Sequence, residues 1–112
     1  MNQDGPAQSS VASYVTADAD GKRVLRVVGD LDLSTCPSFK AMLAAATADY
    51  DDEMIVDLTD VGFMDSSGLH ALMATMKDMT AKGGSLRVRN PGDSVYRLLE
   101  ISGMLDYLRV TR

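Results

Sequence analysis

The chain has 112 residues, enough for one domain with a core of its own and no need of disulfides or a structural metal. Hydrophobic residues make up 46% of it, which excludes a disordered chain, and the formal net charge of −5 argues against non-specific nucleic-acid binding. The single cysteine, Cys36, excludes an internal disulfide, and a single histidine leaves little scope for a zinc site built from nitrogen and sulfur ligands.

Met1 to Ser9 is polar, contains Gly5 and Pro6, and reads as a loose tail, leaving residues 10–112 as the domain. Val11 to Val15 reads as a short edge strand, and Asp18, Asp20 and Gly21 mark a turn. A second strand is expected over Lys22 to Val28, followed by a loop through Gly29-Asp30-Leu31-Asp32-Leu33. Ser34-Thr35-Cys36-Pro37 reads as a helix start, a hydroxyl cap followed by an early proline. Phe39, Met42, Leu43 and Ala46 then fall at i, i+3, i+4 and i+7, one apolar stripe of a helix. Asp49, Asp51, Asp52 and Glu53 read as a solvated acidic connection. The apolar run Met54 to Leu58 predicts a strand buried on both faces. Beyond it, Leu69, Leu72, Met73, Met76 and Met79 recur at helical spacing, and a methionine stripe of this kind is core packing. Lys82-Gly83-Gly84 stops that helix. Ser85 to Val88 predicts a further strand, Asn90-Pro91-Gly92 a turn, and Asp93 or Ser94 the cap of a third helix that carries Val95, Leu98 and Leu99 and ends at Gly103. A short closing strand is expected over Tyr107 to Val110. Strands alternating with helices predict an α/β fold, a mixed sheet of about four to five strands with crossover helices.

The most informative stretch is Val61-Gly62-Phe63-Met64-Asp65-Ser66-Ser67-Gly68-Leu69, between the central strand and the methionine helix. It sets two hydroxyls and a carboxylate at a helix start, where unpaired N–H groups and partial positive charge collect. On spacing alone, capping is the better reading of Ser66, a job that Ser67 or Asp65 can also do. Phosphorylation is the other, because a phosphate there changes the local charge by about −2.

These residues resemble the STAS domain, and within it the single-domain bacterial anti-sigma factor antagonists. The resemblance rests on Gly29-Asp30-Leu31-Asp32, on Ile55-Val56-Asp57-Leu58 with Phe63-Met64-Asp65-Ser66-Ser67-Gly68-Leu69, on the Gly83-Gly84 break, and on Val95-Tyr96-Arg97-Leu98-Leu99-Glu100-Ile101-Ser102-Gly103. It runs from about Val11 to Val110, and the Asp-Ser-Ser-Gly element is its specific part. The resemblance implies a binding module in which Ser66 is phosphorylated by a serine kinase that is also the anti-sigma factor. The unmodified form binds that kinase and frees a sigma factor, and a PP2C-type phosphatase resets the modified form. Asp32 matches an acidic position that the family uses near the kinase's nucleotide, and Asp30, Asp65, Ser66, Ser67, Gly68 and His70 complete the expected partner surface. His70 stands where many relatives carry a small residue, an expected difference in that surface. The ATP or ADP and the Mg²⁺ of the reaction belong to the kinase, and the chain itself is expected to need no cofactor.

Other readings stay in view at this point. Asp57, near a strand end, could be the phospho-acceptor of a receiver-like domain, although the early strands offer no convincing acidic pair for Mg²⁺ and Lys82 precedes the fourth strand. A STAS subunit of a stress-sensing or lipid-transport complex is a further alternative. An enzyme is not expected: there is no phosphate-binding glycine loop, Cys36 has no identifiable base, and His70 lies on the same helical element as Ser66 with no assured orienting acid. Gly68 either lets a partner approach or fits helix packing. With no apolar run long enough to span a bilayer and no signal-peptide layout in Met1 to Ser10, a cytoplasmic protein without membrane insertion is expected.

Overall fold

The computed structural model of the chain describes residues 10–112, and the tail expected over residues 1–9 lies outside the described residues. Strands β1 (Val11–Ala17) and β2 (Arg23–Gly29) form an antiparallel hairpin. Its turn is held by Asp18, whose Oδ1 accepts the N–H groups of Asp20 and Lys22 at 2.9 Å each. Helix α1 (Cys36–Thr47) carries the chain to β3 (Glu53–Asp60), which pairs parallel to β2. Helix α2 (Ser66–Ala81) carries it on to β4 (Ser85–Arg89), parallel to β3, and α3 (Asp93–Ile101) follows. The result is a four-stranded mixed sheet in the order β1-β2-β3-β4 with three helices, in keeping with the sheet and crossovers that the sequence predicts.

The core forms where the periodicities place it. Phe39, Leu43 and Ala46 from α1 and Leu69, Leu72, Met76 and Met79 from α2 pack on Leu25, Val27, Met54, Val56, Leu58, Leu86 and Val88 of the sheet. Met42 and Met73 of the expected stripes are only half-buried. β3 is buried on both faces, as its apolar run predicts: Met54, Val56 and Leu58 join the core cluster, while Ile55 points to the opposite face and is also fully buried. On that second face the cross-strand rows are Val24–Ile55–Arg87 and Arg26–Asp57–Arg89. Long arginine stems there flank apolar side chains while their head groups pair with carboxylates.

Three local expectations need correction. The segment Tyr107 to Val110 is a series of turns and not a strand. Leu108 O accepts Val88 N–H and Thr111 N–H donates to Val88 O, both at 3.0 Å, but Arg109 between them sits at φ 51, so the ladder is interrupted and only an isolated Arg89–Thr111 bridge remains. Helix α1 starts where the sequence places it, with Thr35 at the N-cap and Pro37 in the first turn, but no side chain makes a capping bond, and Asp32 takes the N–H groups of Ser34 and Thr35 ahead of the helix. The N-cap of α3 is Gly92, with Asp93 in the first turn, where its carboxylate pairs with Arg112 at 2.6 Å.

Candidate functional site

The parallel pairing of β2 and β3 continues past the sheet as a single bridge between Leu31 and Met64. Leu31 N–H donates to Phe63 O, and Asp65 N–H donates to Leu31 O, both at 2.9 Å. Leu31 and Met64 are buried in the core. Side chains alternate along an extended segment, so their neighbours Asp30, Asp32, Phe63 and Asp65 are turned away from it. Asp30 and Phe63 are exposed, and Asp32 and Asp65 are half-buried. The two loops thus present one face at the end of the sheet.

Asp65 is the N-cap of α2, in extended backbone geometry. Its Oδ1 accepts the Ser67 N–H at 2.8 Å and the Ser67 hydroxyl, and its Oδ2 accepts the Leu33 N–H at 3.2 Å. The hydroxyl of Ser67 holds the Asp65 carboxyl below the usual carboxylate range, against a smaller opposing effect of burial, with the N–H groups of Ser67, Gly68 and Leu33 adding to it. The capping role that the sequence leaves open among three residues therefore belongs to Asp65. Ser66 is the first helical residue and is exposed. Ser67 is half-buried and committed to Asp65.

Gly68 is buried, and a Cβ on it would stand 2.8 Å from Met64 Cγ and 3.0 Å from Leu31 Cβ. The first distance is too short for a side chain and the second is tight, so the glycine lets α2 pack directly onto the Leu31–Met64 bridge. Of the two readings given to Gly68, the structure displays the packing one. His70 is exposed on α2, one turn beyond Ser66. Cys36 is buried at the start of α1, with its Sγ 3.6 Å from Ser67 O, a small side chain filling the gap between the two helix starts.

Asp32 organises the other loop. Its Oδ1 accepts the Ser34 N–H at 2.9 Å, the Ser34 hydroxyl at 2.7 Å and the Thr35 N–H at 3.1 Å. Thr35 is buried and its hydroxyl donates to Asp30 O at 2.7 Å. The structure therefore brings Asp30, Asp32, Asp65 and Ser67 into one hydrogen-bonded region, with Ser66 exposed beside it, Gly68 beneath it and His70 along the helix.

Asp57 lies elsewhere, on the second face of the sheet. It is 2% exposed; Oδ1 accepts the Thr59 N–H at 2.9 Å and hydroxyl at 2.6 Å, while Oδ2 accepts Arg89 Nε at 3.1 Å and Nη2 at 2.9 Å. Burial pushes its carboxyl up, but the Thr59 and Arg89 hydrogen bonds and the charge of Arg26 outweigh it and hold the group below the usual range. An acceptor for phosphoryl transfer needs an open carboxylate oxygen, and both of these are engaged, so Asp57 is structural. Among the described residues no group of three or more His, Cys, Asp or Glu side chains could hold a metal ion, and no helix is long and apolar enough to cross a membrane.

Sequence reasoning overlooked two residues of this face. Leu33 is 77% exposed and Phe63 46% exposed. Phe63 was visible only as part of the Asp-Ser-Ser-Gly stretch. A leucine inside the polar run Asp32-Leu33-Ser34-Thr35, at no periodic position, was the available signal for the other.

The family model for the STAS domain matches residues 13–112. The chain is 31% identical over 86 residues to an anti-sigma-B factor antagonist of Staphylococcus aureus (strain NCTC 8325 / PS 47), covering 77% of this chain and 80% of the relative. It is 29% identical over 87 residues to the anti-sigma-B factor antagonist of Bacillus subtilis (strain 168), covering 78% and 79%. Among solved structures, an anti-sigma factor antagonist from Mycobacterium paratuberculosis superposes with a TM-score of 0.79 at 28% identity, covering 89% of this chain and 84% of the other.

Proposed function

Because the chain belongs to the STAS domain family, we propose that it is an anti-sigma factor antagonist: unmodified, it binds an anti-sigma factor serine kinase and frees a sigma factor, and phosphorylation of Ser66 ends that binding. The observation that carries the reading is the exposed Ser66 hydroxyl at the first position of α2, beside a carboxylate that already holds the helix's early N–H groups.

That arrangement sets the physics of the switch. A helix start ordinarily welcomes an anion. Here Asp65 has taken that place, so a phosphate on Ser66 adds about −2 charge next to an existing negative group. Like charges about 4 Å apart repel by roughly 1–4 kcal/mol between water-like and surface dielectrics. Each 1.4 kcal/mol or so is a tenfold change in affinity. Charge and bulk on a surface that must lie flat against a partner then release it while the core stays intact. Asp30 and Asp32 extend the docking face, and His70 lies at its edge. Ser67, whose hydroxyl is held by Asp65, is the poorer acceptor of the two. In this reading the chain is a substrate of the kinase and not a catalyst, the nucleotide and Mg²⁺ are the kinase's, a PP2C-type phosphatase restores the hydroxyl, and the exchange takes place in the cytoplasm.

The test is to mix the protein with each anti-sigma factor serine kinase of its source organism and MgATP, and to locate phosphate by mass spectrometry. One phosphate on Ser66, none on the Ser66→Ala variant, and retained kinase binding by that variant are expected. Phosphate incorporated into Ser66→Ala to the same extent would overturn the assignment.

A further inference from the structure

The β2–α1 loop presents an exposed apolar side chain on a hydrogen-bonded backbone. Leu33 is 77% exposed, more than Tyr14, Val15, Val28, Phe63, Ile101 or Tyr107. A lone exposed leucine is ordinary on a protein surface and by itself means little. This one differs in how it is held. Its own N–H is fixed by Asp65 Oδ2 at 3.2 Å, and the residues on either side of it are locked by Asp32 Oδ1 on Ser34 N–H and by Thr35 Oγ1 on Asp32 N–H at 3.0 Å. Three side chains, of Asp32, Thr35 and Asp65, thus spend hydrogen bonds fixing a segment whose central side chain contacts solvent. An apolar group carried on an already ordered backbone spares the cost of ordering that backbone on docking.

The surroundings state what it would meet. Asp30 and Asp32 lie on the same loop, and Asp65 is hydrogen-bonded to Leu33 itself. An apolar knob inside an acidic rim complements an apolar socket rimmed by lysine or arginine. The Leu33 N–H also ties this knob to the carboxylate that caps α2, one residue before the proposed phosphorylation site.

Resting on the function proposed above, we propose that Leu33 is the apolar anchor of the anti-sigma factor interface, inserting into a cation-rimmed socket on the kinase, and that Asp65 fixes it in register with Ser66. Leu33 thereby sets affinity and partner choice, while Ser66 sets whether docking occurs.

The experiment measures Kd for the purified anti-sigma factor kinase, loaded with ADP so that Ser66 stays unmodified, against the unmodified full chain and its Leu33→Ala, Leu33→Met, Leu33→Glu and Ile101→Ala variants, with thermal melting of each. Ile101 is the control, since it is 74% exposed but lies at the end of α3. Leu33→Ala is expected to weaken binding by about tenfold or more and Leu33→Glu further, with melting unchanged, Leu33→Met near the parent, and Ile101→Ala within about twofold. Leu33→Ala within about twofold of a parent that binds well would overturn the anchor while leaving the proposed function standing. A parent that binds none of the source organism's anti-sigma factor kinases would overturn the function and the anchor together.

Discussion

Asp65 does two jobs with its two oxygens, and each job has its own cost of removal. Oδ1 caps α2 through Ser67, and Oδ2 holds the Leu33 N–H. Asp65→Ala is expected to destabilise the fold by about 1 kcal/mol, the usual loss for an N-cap, measurable as a lower urea midpoint with an unchanged slope. Asp57 is the contrasting carboxylate, buried on the second face of the sheet and outside the proposed docking face. Asp57→Ala removes four hydrogen bonds to Thr59 and Arg89. About 1–3 kcal/mol of stability should be lost, since Arg89 keeps some access to water. Kinase binding by the fraction still folded should be unaffected.

At the scale of elements, the seat of α2 depends on a missing side chain. Gly68 brings the helix against Leu31 and Met64, where a methyl group would fall inside contact distance of both. Gly68→Ala should cost about 1–3 kcal/mol through overpacking, seen as a lower melting temperature, and should tilt the Ser66 end of the helix away from the β2–α1 loop. Much of this layer was legible beforehand. Phe39, Leu43 and Ala46, and Leu69, Leu72, Met76 and Met79, follow helical spacing closely enough to name their buried faces, and the run Met54 to Leu58 reads as a strand with no exposed side. Within the site, the exposed Ser66 followed from the Asp-Ser-Ser-Gly stretch at a helix start. What escaped was settled by contacts between elements. Tyr107 to Val110 has the alternation of a strand, but one residue, Val88, serves both Leu108 and Thr111, which leaves Arg109 looped out in a left-handed conformation. The Thr35 hydroxyl does not cap α1 because it is turned back to Asp30 O, while the Asp32 carboxylate takes the N–H groups of Ser34 and Thr35 ahead of the helix. Leu33 was passed over because an isolated leucine in a loop carries no period.

For the whole molecule, acid is the natural probe. Asp57, Asp65 and Asp52 all have folded-state pKa values below normal: for Asp57 the Thr59 and Arg89 bonds overcome burial, for Asp65 the Ser67 hydroxyl leads, and for Asp52 the hydrogen bond from Lys22 leads. The unfolded chain therefore takes up their protons first. Each group contributes its full stabilisation above the ordinary carboxylate pKa of about 3.9 and loses it as pH falls through its folded value. Melting temperature should be nearly level from pH 7 to about pH 5 and should drop below about pH 4; a protein that gained stability below pH 4 would contradict this linkage. Near neutral pH none of these three carboxylates titrates, so none of them can act as a switch there. In the proposed switch the charge is added covalently at Ser66, and because Asp65 already occupies the start of α2, that charge is expected to stay on the surface and leave the fold unchanged. The most direct measurement is the affinity of the anti-sigma factor kinase for purified Ser66-phosphorylated protein beside the unmodified protein, with circular dichroism of both. The account predicts affinity lower by about tenfold or more with superimposable spectra. Equal affinities, or a loss of binding that accompanies loss of structure, would contradict it.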